Sequence, residues 1–459
     1  MAKENKITRT ITDVLDHEYK DYTFYVATNR ACPSAIDGLK TGARKILHAA
    51  MVGSLKNGET KKVTALAGEG MSVSLYQHGD SSLNGTIITL SQEFAFNLNP
   101  LYIDGQNGSL RSQEAASPRY LYVRHSKYTP IWKADYDLLE FLEEEGERVE
   151  PKYYLPIIPV VLCQRQMGMA PGYAFNSMSY NPLDIIDACK LMLTSKAKDP
   201  LEDFTITPYV RDIKKKNWKF EEGEWVNYGE FKWDDKKKQI IITDLPYDTD
   251  FDSFEKLLNK LVENDEIKDW KNQSEGSVIN YIIDCKKGKW AEGLKGRAVN
   301  NKIQTKLKLR KVVPSDNLWA VDENKKIRHF LNNKELIKYF VNFRLPIYTE
   351  RKKRMVKILE DRLTKNDMLV KFIELVCNGK LKIRNRPKAD IKKDMDGYKL
   401  PMELLSTAMS KVTIEERDEL LKQNEAIRKE LEYIKKTPEK TMYVNDLDKL
   451  RKELEGDFK

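Results

Sequence analysis

At 459 residues the chain exceeds what one hydrophobic core ordinarily organises, so several domains are expected. Hydrophobic residues make up 41%, enough for folding, and 79 Lys+Arg against 70 Asp+Glu leave a net charge of +9, a modest excess that favours a polyanionic partner over a membrane. Five cysteines, Cys32, Cys163, Cys189, Cys285 and Cys377, form no CxxC pair, which argues against a disulfide framework or a zinc site, and no run approaches the ~20 apolar residues of a membrane span. With no hydrophobic signal core after Met1, a soluble protein of a reducing cytoplasm is expected.

Residues 8–30 mix helical spacing with polar breaks and stop at Ala31-Cys32-Pro33-Ser34. An Asp37-Gly38 turn then leads into a helix with Leu47 and Met51 on one face. Lys40, Arg44 and Lys45 cluster at its start, either as a solvated basic face or as phosphate contacts near unpaired helix amides. A second helix is expected over 63–77, ending at His78-Gly79, and a third over 83–94, capped by Asp80 or Ser81. Two helices joined by a short turn outline a helix-turn-helix or winged-helix unit that presents one helix to a duplex.

A Gly-rich run, Asp104-Gly105-Gln106-Asn107-Gly108-Ser109, precedes Ala115-Ala116-Ser117-Pro118-Arg119-Tyr120. A guanidinium beside a phenol can stabilise the charge that develops when the phenol attacks a phosphoryl group, although most Arg-Tyr pairs are ordinary surface residues. Downstream, 156–162 reads as a buried strand, 168–173 as a glycine-punctuated turn, and a helix begins near Pro182. Short strand-like runs fill 205–246, with Asn227-Tyr228-Gly229 as a turn, then a helix over 251–262 and a strand over 277–283. Asp248-Thr249-Asp250 reads as a helix cap, and Lys302, Lys306, Lys308, Arg310 and Lys311 form a basic segment. Helical spacing over 343–379, with a break near Asn366, and again from a Thr413/Glu416 capping box, outlines a helical hairpin closed by a helix over 445–454.

Several motifs in order carry a resemblance. Arg30-Ala31-Cys32-Pro33, Asp37-Gly38-Leu39-Lys40 with Arg44-Lys45-Ile46-Leu47, Gln77-His78-Gly79-Asp80, Gly105-Gln106-Asn107-Gly108 and Ser117-Pro118-Arg119-Tyr120 resemble the cleavage domain of type IIA DNA topoisomerases. Their variants look nearer the eukaryotic enzymes and the medium subunit of the T-even bacteriophage enzyme than gyrase. The resemblance implies an α+β, multidomain fold: a winged-helix DNA-cleavage domain over 1–150, an α/β tower domain over 151–342, and a coiled coil with a dimerisation gate over 343–459.

It further implies that Tyr120 attacks a DNA phosphodiester to form a transient 5′-phosphotyrosine link, with Arg119 stabilising the developing charge. Arg30 and His78 would line the scissile phosphate, and Lys40, Arg44 and Lys45 would hold the DNA backbone. An apolar wedge between base pairs would fall at Ser177 or, being long and apolar, at Met178. No glycine-rich nucleotide-binding motif and no acidic metal-binding triplet appears, so Mg²⁺ and ATP are expected on a separate partner subunit, with double-stranded DNA and a second copy of the chain as further partners. Because no DNA-wrapping domain follows the gate, relaxation and decatenation are expected in the host cytoplasm or nucleoid. A non-cleaving architectural DNA-binding protein is the alternative.

Overall fold

The computed structural model describes residues 9–53, 55, 58–276, 278–286, 290, 297–383, 386–408 and 412–458. They gather into two compact units, one of 1–342 with 447–459, the other of 343–446.

The first unit opens on a helical run in which α1 (Ile11–Asp13) and α2 (Lys20–Val26) alternate with π-helical segments Val14–Tyr19 and Ala27–Ala31. Thr10 and Asp13 start it with a reciprocal capping box. There follow α3 (Thr41–Val52), β1 (Lys61–Lys62), α4 (Val63–Val73), α5 (Asp80–Ser91), β2 (Leu101–Asp104) and β3 (Tyr122–His125). The strands pair antiparallel in the order β1-β3-β2, and three helices on a three-stranded wing sheet make a winged helix. Ile46, Leu66, Leu83, Ile87 and Val123 are its buried centre. The second helix stops earlier than its spacing predicts. Leu75 adopts a left-handed φ of 45°, and the Ser74 carbonyl at the helix end is taken by the Lys45 ammonium at 2.6 Å, so a tertiary contact ends α4 and Gly79 caps α5 instead.

A hairpin of β4 (Phe141–Glu144) and β5 (Glu147–Pro151) turns at Glu145-Gly146, both at positive φ. Next come β6 (Gln166–Ala170), β7 (Tyr173–Ser177) and α6 (Pro182–Thr194), the last capped by Asn181 with Pro182 at its first position. The remaining elements are β8 (Trp218–Glu221), β9 (Glu224–Tyr228), β10 (Glu230–Asp234), β11 (Gln239–Asp244), α7 (Phe251–Glu263), β12 (Ile267–Asn272), β13 (Tyr281–Cys285), α8 (Arg297–Lys306), β14 (Arg310–Val312), β15 (Asn317–Val321) and β16 (Ile327–Phe330). They build three antiparallel sheets, β10-β11-β13-β12, β14-β9-β8 and β16-β15-β7-β6. The first packs on α7 and α8 through Ile240, Ile242, Leu258, Ile283 and Ile303. Gly229 is not a hairpin turn: it carries the chain from one sheet to the next, and a Cβ there would lie 2.8 Å from the Asp244 carbonyl. Asp250 caps α7 by accepting from Ser253 N, as the Asp-x-Asp reading expects.

The second unit is helical: α9 (Asn333–Cys377, 45 residues), α10 (Lys388–Gly397), α11 (Ile414–Lys436) and α12 (Glu439–Phe458), of which the first and last extend beyond the unit's bounds. Leu359, Ile427 and Ile434 form the seam of its helical pair. The expected break at Asn366 is absent. The Asn366 amide donates to Asn424 Oδ1 at 3.0 Å and Asn424 donates to Asp367 at 2.7 Å, so the polar stretch pins helix register without interrupting α9.

Candidate nucleic-acid interface

The winged helix borders a cavity of about 1140 Å³, lined among others by Arg30, Lys40, His78, Thr86, Arg165 and Met167. Arg30 leaves the end of the N-terminal helical run and meets His78 from the turn before α5, with NH2 to Nε2 at 2.5 Å. A guanidinium can only donate, so Nε2 is the acceptor in this contact. Tyr76 packs edge-on against the same ring, 5.4 Å between centroids. Lys40 Nζ donates to the Met167 carbonyl at 3.0 Å, and burial lowers its ammonium below the ordinary lysine range while nearby Cys32 opposes that shift. Arg30, His78 and Lys40, which the sequence motifs assign to one site, are thus brought together by the fold.

Arg44 does not line this cavity, and Lys45, which does, is tied up by carboxylates. Arg44 is buried and forks onto Asp37, Nε at 2.8 Å and NH2 at 2.9 Å, with a further bond to the Leu39 carbonyl at 3.2 Å. Burial works against its charge, but Asp37 more than offsets that and holds the guanidinium above its ordinary value. Lys45, also buried, pairs with Glu150 at 3.0 Å and Glu144 at 3.4 Å besides capping Ser74. Both readings of this cluster, a solvated basic face and contacts to the DNA backbone, are thus corrected for Arg44 and Lys45: each is paired with a buried carboxylate, Asp37 for one and Glu150, 105 residues away, for the other. Part of the 302–311 run is likewise paired, Lys306 with Glu266, Arg310 with Glu221 and Lys311 with Asp248.

Tyr120 stands on a single 3-10 turn, Pro118–Tyr120, just before β3. Its amide donates to Ser117 O at 2.9 Å, and the next residue, Leu121, is buried and accepts Val63 N at 3.0 Å. The backbone is thereby fixed while the phenol remains 69% exposed. Arg119 is exposed too, its guanidinium carbon 6.0 Å from the Tyr120 ring centre. Tyr120 does not line the cavity that holds Arg30 and His78.

The wedge assignment is also corrected. Met178 is only 6% exposed, and its amide donates to Asp316 Oδ1 at 3.2 Å; Ser177 is buried beside it. Neither can reach a base step. On the β6–β7 hairpin the exposed apolar side chains are Met167 and Met169, at 65% and 73%, on one face, and Met167 lines the cavity. Strand alternation is the signal that points to them, since Gly168 between them faces inward against Ala31. Among the described residues no group of three His, Cys, Asp or Glu side chains could hold a metal ion, so the Mg²⁺ that the resemblance implies does not fit a site built from these residues.

The fold and this site define a class: winged-helix proteins with a basic cavity and an exposed Arg-Tyr pair on one unit, joined to antiparallel sheets and a long helical arm. A family model for DNA gyrase/topoisomerase IV, describing their A subunits, matches residues 30–451, and the chain belongs to that family. It is 30% identical over 470 residues to "DNA topoisomerase 2, mitochondrial" of Dictyostelium discoideum, covering 97% of this chain and 35% of that protein. With "DNA topoisomerase 2" of Arabidopsis thaliana the identity is 28%, covering 93% and 32%. The chain thus spans about a third of the length of these relatives, both eukaryotic. Its fold is similar to the crystal structure of the Plasmodium falciparum topoisomerase II DNA-binding, cleavage and re-ligation domain, with TM-score 0.82 and 25% identity over 96% of this chain and 63% of that one. The α+β architecture expected from the sequence is borne out by this match.

Proposed function

We propose that the chain is the DNA-cleaving and religating part of a type II DNA topoisomerase. The observation that carries this reading is the Arg119-Tyr120 turn: an exposed phenol on a fixed backbone, on the same winged helix that builds the Arg30, Lys40 and His78 cavity. In the proposed reaction the Tyr120 oxygen attacks a phosphodiester phosphorus and its proton passes to solvent or a base. The phosphorus–O3′ bond breaks, the 3′ oxygen takes up a proton, and DNA is left joined through its 5′ phosphate to tyrosine. The reverse attack by the 3′ hydroxyl reseals the strand, so the phosphodiester energy is conserved. Arg119 would stabilise charge on the phosphoryl oxygens, Arg30 and His78 would orient the neighbouring phosphate, and Lys40 would hold the backbone.

Within one chain the tyrosine lies outside the cavity, which supports a homodimer in which each copy cuts one strand of the duplex. Mg²⁺ and ATP hydrolysis are assigned to a separate partner chain, in the manner of the T-even bacteriophage enzyme, and strand passage would relax or decatenate DNA. The exposed Met167 and Met169 are assigned the apolar insertion that bends the duplex. Incubation with the partner chain, Mg²⁺ and duplex DNA tests the reading: wild type should form denaturant-resistant DNA–protein adducts, and Tyr120→Phe should abolish them while leaving DNA affinity within about twofold. Adducts persisting in Tyr120→Phe would refute the nucleophile. Duplex binding with no adducts from wild type would favour an architectural role.

A further inference from the structure

Nine residues before Tyr120, the loop between β2 and the tyrosine turn sends one side chain out of the winged helix. Arg111 is buried, and its guanidinium donates to the carbonyls of Leu245 at 2.6 Å, Pro246 at 2.7 Å and Thr249 at 2.9 Å, and to Asp244 Oδ1 at 3.2 Å. Its own carbonyl accepts Phe251 N at 2.9 Å. The other Asp244 oxygen accepts from Asn217 at 2.9 Å. One residue therefore grips the whole segment 244–251, which joins β11 to α7, by both side chain and backbone. The same segment is bonded to Arg165, which borders the cavity just before β6, and to Lys311 of β14, both through Asp248.

The loop between Arg111 and Tyr120 has little slack. Ala116 N donates to Gln106 O at 2.8 Å, Ser109 N to Ser112 O at 2.7 Å, and the Gln92 amide to Asn107 O at 3.0 Å. Gly105 and Gly108 sit at φ of 124° and 80°, where a Cβ would lie 2.9 Å from Leu121 Cδ2 and 2.5 Å from Gln113 O. These contacts are the route by which a shift of Arg111 would reach the tyrosine turn. A buried ion pair is a poor way to gain stability, because desolvation costs as much as the pairing returns. A planar guanidinium with four acceptors is, by contrast, a good way to fix a direction.

We infer that Arg111 is a positioning residue for Tyr120, a latch through which segment 244–251 sets where the Arg119-Tyr120 turn stands. The inference rests on the reading of Tyr120 as the nucleophile. It is tested in the assembled enzyme with Arg111→Met and the milder Arg111→Lys. Arg111→Met should slow adduct formation at saturating DNA by about 10- to 100-fold with DNA affinity nearly unchanged, and Arg111→Lys should recover part of the loss. Hydrogen exchange should quicken at the Ala116 and Tyr120 amides in both variants and stay unchanged in α3 and α5. Wild-type cleavage rates, or unchanged exchange over 105–120, would overturn the inference, as would equal loosening of α3 and α5, which marks general loss of fold. Should Arg111→Met not fold, the Arg111→Lys rate and exchange decide alone. Failure of the underlying reading is distinguishable, because adducts in Tyr120→Phe would refute the nucleophile without touching the exchange result.

Discussion

The reassignment of Arg44 from DNA contact to internal strut makes a measurable claim. Asp37 is fully buried and its carboxylate accepts four hydrogen bonds: two from Arg44, one from Leu39 N at 3.0 Å and one from Tyr154 N at 2.9 Å. Asp37→Asn keeps the volume but removes the charge and turns an NH₂ group toward one Arg44 donor and one backbone N–H, leaving the buried guanidinium only a neutral amide oxygen and the Leu39 carbonyl. Breaking a buried pair by removing one partner costs about 3–5 kcal/mol, because the remaining charge stays desolvated. With urea slopes of about 1–3 kcal/mol/M, the unfolding midpoint should fall by about 1 M or more. Trp132 is buried and its indole nitrogen lies 3.4 Å from the Asp37 carbonyl, so with the other six tryptophans replaced by phenylalanine its fluorescence reports the transition locally. A companion measurement uses Arg44→Met at a temperature where it remains folded: the dependence of DNA affinity on salt should keep its wild-type slope. A loss below about 1 kcal/mol in Asp37→Asn, or a slope smaller by about one unit in Arg44→Met, would return Arg44 to the phosphate contacts.

Burial, reinforced by Arg148 and Lys45, brings His48 down to about 4, against ~6.5 in the unfolded chain. The unfolded chain then takes up the proton first, so stability should fall as pH drops from about 6.5 toward 4, by up to roughly 3 kcal/mol. His48→Gln should flatten urea midpoints between pH 7 and 5, and an unaltered slope contradicts the assignment. A Cβ on Gly168 would lie 1.8 Å from the Ala31 carbonyl, whereas one on Gly172 meets open space at φ 80°. Gly168→Ala should therefore lose about 1–3 kcal/mol or more and weaken DNA binding through the displaced Arg30, while Gly172→Ala costs about 1 kcal/mol; thermal melts and binding titrations compare them. Met169→Ala should alter stability by less than about 0.5 kcal/mol yet reduce bending of an end-labelled duplex, and Met178→Ala should do the reverse, losing about 2–5 kcal/mol. Equal bending in Met169→Ala would remove the hairpin from the wedge role.

Much of the molecule is legible along the chain because its signals are local. Helical spacing and caps placed α3, α5, α7 and α11 near their observed bounds, since periodicity and the first-turn side chain act within a few residues. The residues of the proposed site, Arg30, Lys40, His78, Arg119 and Tyr120, were nominated by ordered motifs and the resemblance they carry. What tertiary structure alone decided is which of those groups remain available. Lys45 meets Glu150, Met178 is buried with its amide on Asp316, and Arg111 finds Asp244, all across separations that no local pattern encodes. A cation's role depends on whether a carboxylate or water surrounds it, and a methionine's on which face of a sheet it occupies. Sequence therefore determined the chemical inventory and the local elements, whereas packing determined which members of that inventory face the cavity and which hold the fold.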